Sequence, residues 1–339
     1  MTMTIPTQAQ TPRKRRGWRI ALISVGTVVL LVAGGAGAYA WNLTRTFDTK
    51  TQKIAEVFPE NEATRPAELE GEAAKSQNIL LLGTDTRGSI NGSIDDISGQ
   101  RSDTVMVVNI PADRTKISVM SIMRDSWLEV PGHGQAKINA ALSYGGVPLA
   151  VETVEDLLGV RMDHVAIIDF EGFTGVTDAL GGVDIENSIG FNSYHLKEHY
   201  FAPGTLHVNG TEALAFVRER YAFQDGDFQR TRNQQIFIQA VLKQALSAET
   251  LTSPGKVSAL IGAVAPYLAV DDGFNSSYVA GLGVELRSVR VGDVNFFTLP
   301  TLGTGSAGGQ SVVNIDWNEL PLLQQAFQSD ALAAYQPPA

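Results

Sequence analysis

NILLLG, residues 78–83, is an apolar run of a few residues closed by a glycine and followed by the polar TDTR. It is too short for a stable helix and apolar at nearly every position, which suits a central strand buried on both sides of a sheet. Two more runs of the same kind follow, TVMVVNI (104–110) and ISVMSI (117–122), joined by the turn PADRTK. KINAALSYGG (137–146) then reads as a helix stopped by glycines, and VPLAVETVEDLLG (147–159) as a second with its own stop. HVAIID (164–169) returns to strand, FEGFTGVTDALGG (170–182) to helix, and VDIEN and TLHVN to short strands. Farther on, SPGKVSALIGAVAPYL (253–268) reads as a helix, VNFFTLP (294–300) as a late strand and Asp316 to Phe327 as a last helix. Short apolar strands alternating with helices predict a layered α/β domain, with helices on both faces of the sheet.

The chain before this domain is of a different kind. Residues 1–17 are polar, contain Pro6 and Pro12 and end in RKRRG. Residues 18–41, WRIALISVGTVVLLVAGGAGAYAW, are apolar from Ile20 to Ala40, long enough to span a bilayer, with a tryptophan at each end. The basic cluster ahead of the span predicts a cytoplasmic tail (1–17), a single-pass anchor (18–41) and an extracytoplasmic remainder at the cell membrane. The apolar run exceeds the core of a cleaved signal peptide, which favours an uncleaved transmembrane helix. Residues 42–76, polar with Pro59 and Pro66, read as a stalk. The globular domain is expected over 77–330, and 331–339, ending PPA, as a disordered tail.

Composition narrows the function. The chain has no cysteine, which excludes a disulfide framework and a thiolate metal site. Its net charge is −10, but five of the 26 basic residues precede Trp41 and no acidic residue precedes Asp48. The remainder sets 21 basic against 36 acidic residues, a balance that argues against a nucleic-acid surface.

Against that acidic background, GTEALAFVRERYAFQDGDFQRTRNQQ (210–235) carries Arg218, Arg220, Arg230 and Arg232. The guanidinium is the side chain shaped to grip phosphate bidentately. Arg218 and Arg220, two apart, cannot share a helix face and converge only if the helix ends there, as the run from Ala222 to Gly226 suggests. Arg230 and Gln234 share a face of the next helix. Asp85 in GTDTR follows the first strand and Asp103 in RSDT precedes the second. If those strands are antiparallel neighbours, the two carboxylates meet at one sheet edge, as a Mg²⁺ or Mn²⁺ site requires, with Arg87 and Arg101 two residues away. SIMRDSW places Arg124 and Asp125 at the end of a third strand, and KINAA adds Lys137 and Asn139; strand ends are where an open α/β sheet binds its ligand.

Two motif matches lack the context their chemistry needs. HLKEH (195–199) fits the H-x-x-E-H pattern of some zinc peptidases but has little room for the helices such a site uses. GTGSAG (303–308) fits G-x-G-x-x-G, yet GQSVVNID after it is no amphipathic helix, so it reads as a flexible loop.

In order, NILLLGTDTR, RSDTVMVVNI, SIMRDSW, KINAALSYGG, ALGGVDI and GTLHVNGTEALAFVRERY with DFQRTRNQQ resemble the LytR–CpsA–Psr family over about residues 77–246. The ordered set is specific where each motif alone is weak. The resemblance implies a three-layer α/β/α sandwich with a mixed central sheet and an apolar lipid tunnel. It implies a membrane-anchored phosphotransferase that moves a glycopolymer from a polyprenyl-pyrophosphate carrier to peptidoglycan. By matching positions, Asp85 and Asp103 would hold Mg²⁺; Arg87, Arg101, Arg124, Lys137, Arg218, Arg220, Arg230 and Gln234 would surround the pyrophosphate; Asp125 or Asp227 would act as base. Met123, Gln229 and Asn233 depart from the family's usual proline, glycine and arginine, which leaves the role of Arg232 open. A muramic acid 6-hydroxyl would attack the sugar-linked phosphorus, a reaction that needs positioning and charge neutralisation more than covalent help. The rival readings are a non-enzymatic regulator that binds an anionic lipid or polymer, and a pyrophosphatase acting on the same lipids.

Overall fold

NILLLG lies within strand β2 (Gln77–Thr84), in the middle of a seven-stranded sheet. The computed structural model describes residue 35, residues 37–84 and residues 102–338. They fall into two units, Met1–Arg45 and Thr46–Ala339. In the first, residues 37–45 are helical, and most of the expected anchor, with the tail before it, lies outside the described residues. No helix among the described residues is long and apolar enough to cross a membrane.

In the second unit the sheet runs β1 (Gln52–Ile54), β12 (Leu268–Asp271), β7 (His164–Asp169), β2, β3 (Ser102–Ile110), β4 (Ile117–Ile122) and β13 (Val294–Thr298). β2 pairs antiparallel with β3 and parallel with β7, so the sheet is mixed as expected. Each strand alternates two apolar sets. Leu80, Leu82, Val105 and Val107 pack with Leu142, Val151 and Leu158 of helix α1 (Asn139–Leu158) and with Leu323 and Phe327 near the C-terminus. Met106 and Val119 face the other way, against Ile238 and Leu242 of helix α4 (Asp227–Ala245). The period-2 pattern thus buries both faces under helices, the layered arrangement expected. A further cluster joins α2 (Phe170–Ala179), α3 (Gly210–Arg218) and α4 to the hairpin of β8 (Val183–Asn187) and β11 (Gly204–Val208).

Several expectations change. The two helices expected over 137–159 are present within α1, where they meet at a kink whose backbone is non-helical at Gly145 and at Gly146, with φ 67°. Lys137 is not helical; it closes strand β6 (Gly134–Lys137), which pairs with β5 (Ser126–Val130). GTGSAG is not a loop: residues 303–307 belong to strand β14 (Thr301–Ala307), paired with β15 (Gln310–Ile315). A Cβ on Gly305 would lie 2.3 Å from the Asn314 side chain, so its glycine serves close packing in the hairpin rather than mobility. Residues 46–76 do not form a free stalk, because β1 adds to the sheet edge and Ile54 and Val57 are core residues. Nor are 331–335 a loose tail: Leu332 is buried, and Tyr335 packs on Phe297 and donates to Glu319 at 3.0 Å. In both segments a few apolar side chains spaced along a polar run suffice to dock it, a pattern too sparse for periodicity to show.

Candidate functional site: an arginine pocket at the strand ends

Helix α3 starts on a capping box in which Asn209 accepts from the Glu212 amide at 3.0 Å and Glu212 accepts from the Asn209 amide at 3.0 Å. It stops at Arg218 because Glu219 turns extended and buries its carboxylate completely. That carboxylate accepts from the backbone amides of Arg220 (3.1 Å), Tyr221 (3.0 Å) and Ala222 (3.3 Å), and from Tyr194 (2.6 Å) in the facing loop. The loop after α3 is therefore held from inside by one charge. Arg218 is the last helical residue and Arg220 lies past the end, so both reach the same cavity, as the helix break requires.

Helix α4 begins after Gly226, whose φ of 46° suits a residue without Cβ. Asn233, fully buried, donates to the Phe216 carbonyl at 3.1 Å and clamps α4 to the end of α3. Gln235 donates to Ser121, Phe297 and Thr298, fixing α4 to the ends of β4 and β13. With the helix held at both places, Arg230 and Gln234, one turn apart, face the cavity. On the sheet side the β2–β3 register slips by one: Gly83 pairs with Thr104 but Thr84 with Ser102. Asp103 is the bulged residue, a device that re-aims a side chain at a strand end. Arg124 follows β4 and joins the two sides.

Arg124 donates to Asp103 at 2.5 Å and to Asp227 at 3.2 Å. Asp227 also meets Arg220 at 3.5 Å and Arg230 at 3.4 Å. The cavity between them holds about 140 Å³ and is lined by Asp103, Arg124, His195, Val217, Arg218, Arg220, Tyr221, Arg230 and Gln234. Burial disfavours the Asp227 carboxylate, but Arg230, Arg124 and Arg220 outweigh it and hold its pKa below the ordinary value. Burial also opposes the Arg124 charge, and Asp227 and Asp103 overcome it, raising its pKa. Arg230 goes the other way: burial and the neighbouring Arg124 lower its pKa despite Asp227 and Asp103. Its Nε is buried without a hydrogen-bond partner among the described residues. The pocket is thus short of negative charge.

Of the residues named from sequence, Asp103, Arg124, Arg218, Arg220, Arg230 and Gln234 line one cavity, with Asp227 bound among its arginines. Asp125 and Lys137 stand beside it as a pair, Nζ to Oδ1 3.2 Å, with Asp125 4.0 Å from Arg124. Asp85, Arg87 and Arg101 lie outside the described residues. Arg232 is half exposed and pairs with Asp225 and Gln229 instead of entering the cavity, while Asn233 takes the interhelix clamp. The sequence reading missed Glu219, His195 and Tyr221. A carboxylate between two arginines at a helix stop was a usable sign of the first. His195 was weighed only within HLKEH, which occupies a turn: its Nε2 lies 3.2 Å from the Arg218 carbonyl, and His199 packs on Phe201.

Comparison with known proteins identifies the family. The model of the LytR_cpsA_psr family matches residues 41–328. The chain belongs to that family. It is similar to the polyisoprenyl-teichoic acid–peptidoglycan teichoic acid transferase TagU of Bacillus cereus, 34% identical over 236 residues, covering 69% of this chain and 73% of the relative. It is also similar to the cell wall biosynthesis protein LcpA of Corynebacterium glutamicum, 30% identical over 312 residues, covering 79% of this chain and 58% of that one. Among solved structures, Bacillus subtilis TagV superposes with a TM-score of 0.63 at 26% identity, over 78% of this chain and 99% of TagV.

Proposed function

We propose that this protein transfers a glycopolymer from a polyprenyl-pyrophosphate carrier to a sugar hydroxyl of peptidoglycan. The observation that carries the reading is the buried Arg230. Its guanidinium is desolvated, pressed by a second arginine, and belongs to the wall of a cavity of about 140 Å³. An anion in that cavity would supply the counter-charge that a buried guanidinium needs and that the neighbouring carboxylates leave short. The relative named as a polyisoprenyl-teichoic acid–peptidoglycan teichoic acid transferase supports the donor and acceptor classes.

In this reading Arg218, Arg220 and Arg230 bind the pyrophosphate, with Gln234 donating from the same helix face as Arg230. Arg124 bridges the pyrophosphate site to Asp103. The acceptor hydroxyl forms a bond to the sugar-linked phosphorus as the bond to the departing polyprenyl phosphate breaks. Its proton goes to a carboxylate. Asp227 is a weak base because three arginines stabilise its charge, so it serves to hold their fork in register; Asp125 is the better candidate to take the proton. The hard oxygen of Asp103, with Asp85 one residue beyond Thr84, would hold a Mg²⁺. When bound it would supply charge neutralisation to the phosphate oxygens. The segment 18–41 would anchor the domain outside the cytoplasmic membrane, and polyprenyl pyrophosphate hydrolysis would follow when no acceptor is present.

The test is transfer of a labelled lipid-linked oligosaccharide to peptidoglycan oligomers with Mg²⁺ present. Lysine lacks the planar fork, so Arg218→Lys and Arg220→Lys should fold normally and transfer at least about tenfold more slowly, roughly 1.4 kcal/mol of barrier. Wild-type rates in both would remove the arginine clamp, and binding of the donor with no transfer under any condition would favour a regulator.

A further inference from the structure

At the mouth of the arginine pocket two tyrosines are strongly exposed, Tyr194 at 70% and Tyr221 at 58%. Their rings lie against each other with centroids 4.5 Å apart, tilted by 46°. His195 stands edge-on to Tyr194 at 5.6 Å, and Arg220 lies over the Tyr221 ring at 4.7 Å. Tyrosine is intermediate in burial, so two strongly exposed rings packed side by side form an amphipathic patch rather than a scattered pair. These are also not loosely attached. The backbone amides of both tyrosines end on the one buried Glu219 carboxylate, at 2.6 Å and 3.0 Å, and His195 is pinned through its ring to the Arg218 carbonyl. Two loops are thus locked so that the Tyr194 ring, backed by Tyr221 and its Arg220 cover, is presented to solvent beside the cavity that Tyr221 and His195 line.

We propose that the Tyr194–Tyr221 pair is a carbohydrate platform that holds a pyranose ring of a glycan next to the pyrophosphate site. A hexopyranose has a face of C–H bonds carrying slight positive charge, which matches the negative π face of an aromatic ring. Its hydroxyls project from the rim of that face, where the His195 Nδ1, left as an acceptor by the Nε2–H bond to the Arg218 carbonyl, and the tyrosine hydroxyls offer partners. Rigid aromatic anchors bind at little conformational cost, and the Glu219 anchor meets that requirement. The proposal rests on the transfer reading for its ligand, because a bond to a sugar hydroxyl at the pocket requires a sugar at its mouth. The ring belongs either to the acceptor strand or to the first sugar of the donor.

Three substrates distinguish these sources: peptidoglycan glycan oligomers, a lipid-linked oligosaccharide, and polyprenyl pyrophosphate without sugar. Tyr194→Ala should raise the KM for one of the two sugar-bearing substrates roughly tenfold, whereas Tyr194→Phe, which keeps the face, should stay within about twofold. The hydrolysis KM for the sugarless lipid should move with neither variant, since no ring stacks there. A higher acceptor KM assigns the platform to the acceptor and a higher donor KM to the donor sugar. Unchanged KM values for both sugar substrates in Tyr194→Ala would overturn the proposal, as would an equal rise for the sugarless lipid. If instead wild-type protein transfers nothing, direct binding of glycan oligomers separates the two ideas. Binding weakened by Tyr194→Ala but not by Tyr194→Phe keeps the platform and discards the transferase, and binding indifferent to both discards the platform.

Discussion

Two buried arginine clusters sit in this domain, and they differ in one respect. Arg65 meets Glu155 through Nη2 at 2.6 Å and Nε at 3.0 Å and gives a third bond to the Met162 carbonyl at 3.0 Å. Glu155, itself buried, also accepts from the Met162 amide at 2.7 Å. Its hydrogen bond is the largest influence on Arg65 and raises the pKa above the ordinary value. At the strand ends, four arginines crowd two carboxylates, and the most buried of them has a lowered pKa and an unmet donor. The same side chain is structural where its charge and donors are matched within the chain; where they are not, the proposed function makes it a binding group. A charge disfavoured in the free protein is what a group kept poised for a ligand would show.

Breaking the matched cluster should have the largest effect. Glu155→Ala leaves the buried Arg65 charge with only the exposed Glu62, 3.5 Å away, and should lower unfolding free energy by about 3 kcal/mol, read from the urea midpoint. Transfer per folded molecule should be near wild type. A loss under about 1 kcal/mol would mean that water reaches Arg65 and that the contrast is false.

The unmatched cluster should respond in the opposite sense. Arg230→Met removes a desolvated, repelled charge while keeping volume, so the unfolding midpoint should hold or rise. Transfer should fall about 100-fold, roughly 2.7 kcal/mol of barrier. A clear loss of stability would make Arg230 a structural residue like Arg65.

The smallest effect calibrates both. His207 donates from Nδ1 to the Asp184 carboxylate at 2.8 Å on the exposed β8–β11 pair, and that hydrogen bond raises its pKa. A raised folded pKa contributes stability that is present below the unfolded value of about 6.5 and lost as pH rises through the folded one. Asp184→Asn should bring the His207 titration, followed by NMR, back toward its ordinary position. It should reduce the stability difference between acid and alkaline pH by no more than about 0.5 kcal/mol, since the pair is solvated. A larger change would show that exposed pairs in this protein count as buried ones do.

The strands were legible because Leu80, Leu82, Val105 and Val107 are apolar at every position a two-sided burial demands, and local pattern and global packing ask for the same residues. The helix stop at Arg218 was legible from spacing and from the run Ala222 to Gly226, which closes on Asp225 and Gly226: Arg218 and Arg220, two apart, converge only where a helix ends. The docking of β1 was not legible, since Gln52–Ile54 is three residues long and becomes a strand only because β12 offers it an edge.

The sequence by itself determined the layered α/β class, the arginine-rich segment and the absence of any cysteine chemistry, because each is a property of composition or of period. Tertiary structure alone decided which charges are matched. Arg65 and Glu155 are 90 residues apart, Arg124 and Asp227 are 103 apart, and Tyr194 and Tyr221 share a carboxylate that belongs to neither. Whether a guanidinium is satisfied depends on groups that only the folded chain brings within about 3 Å of it, and on how much water the same packing removes.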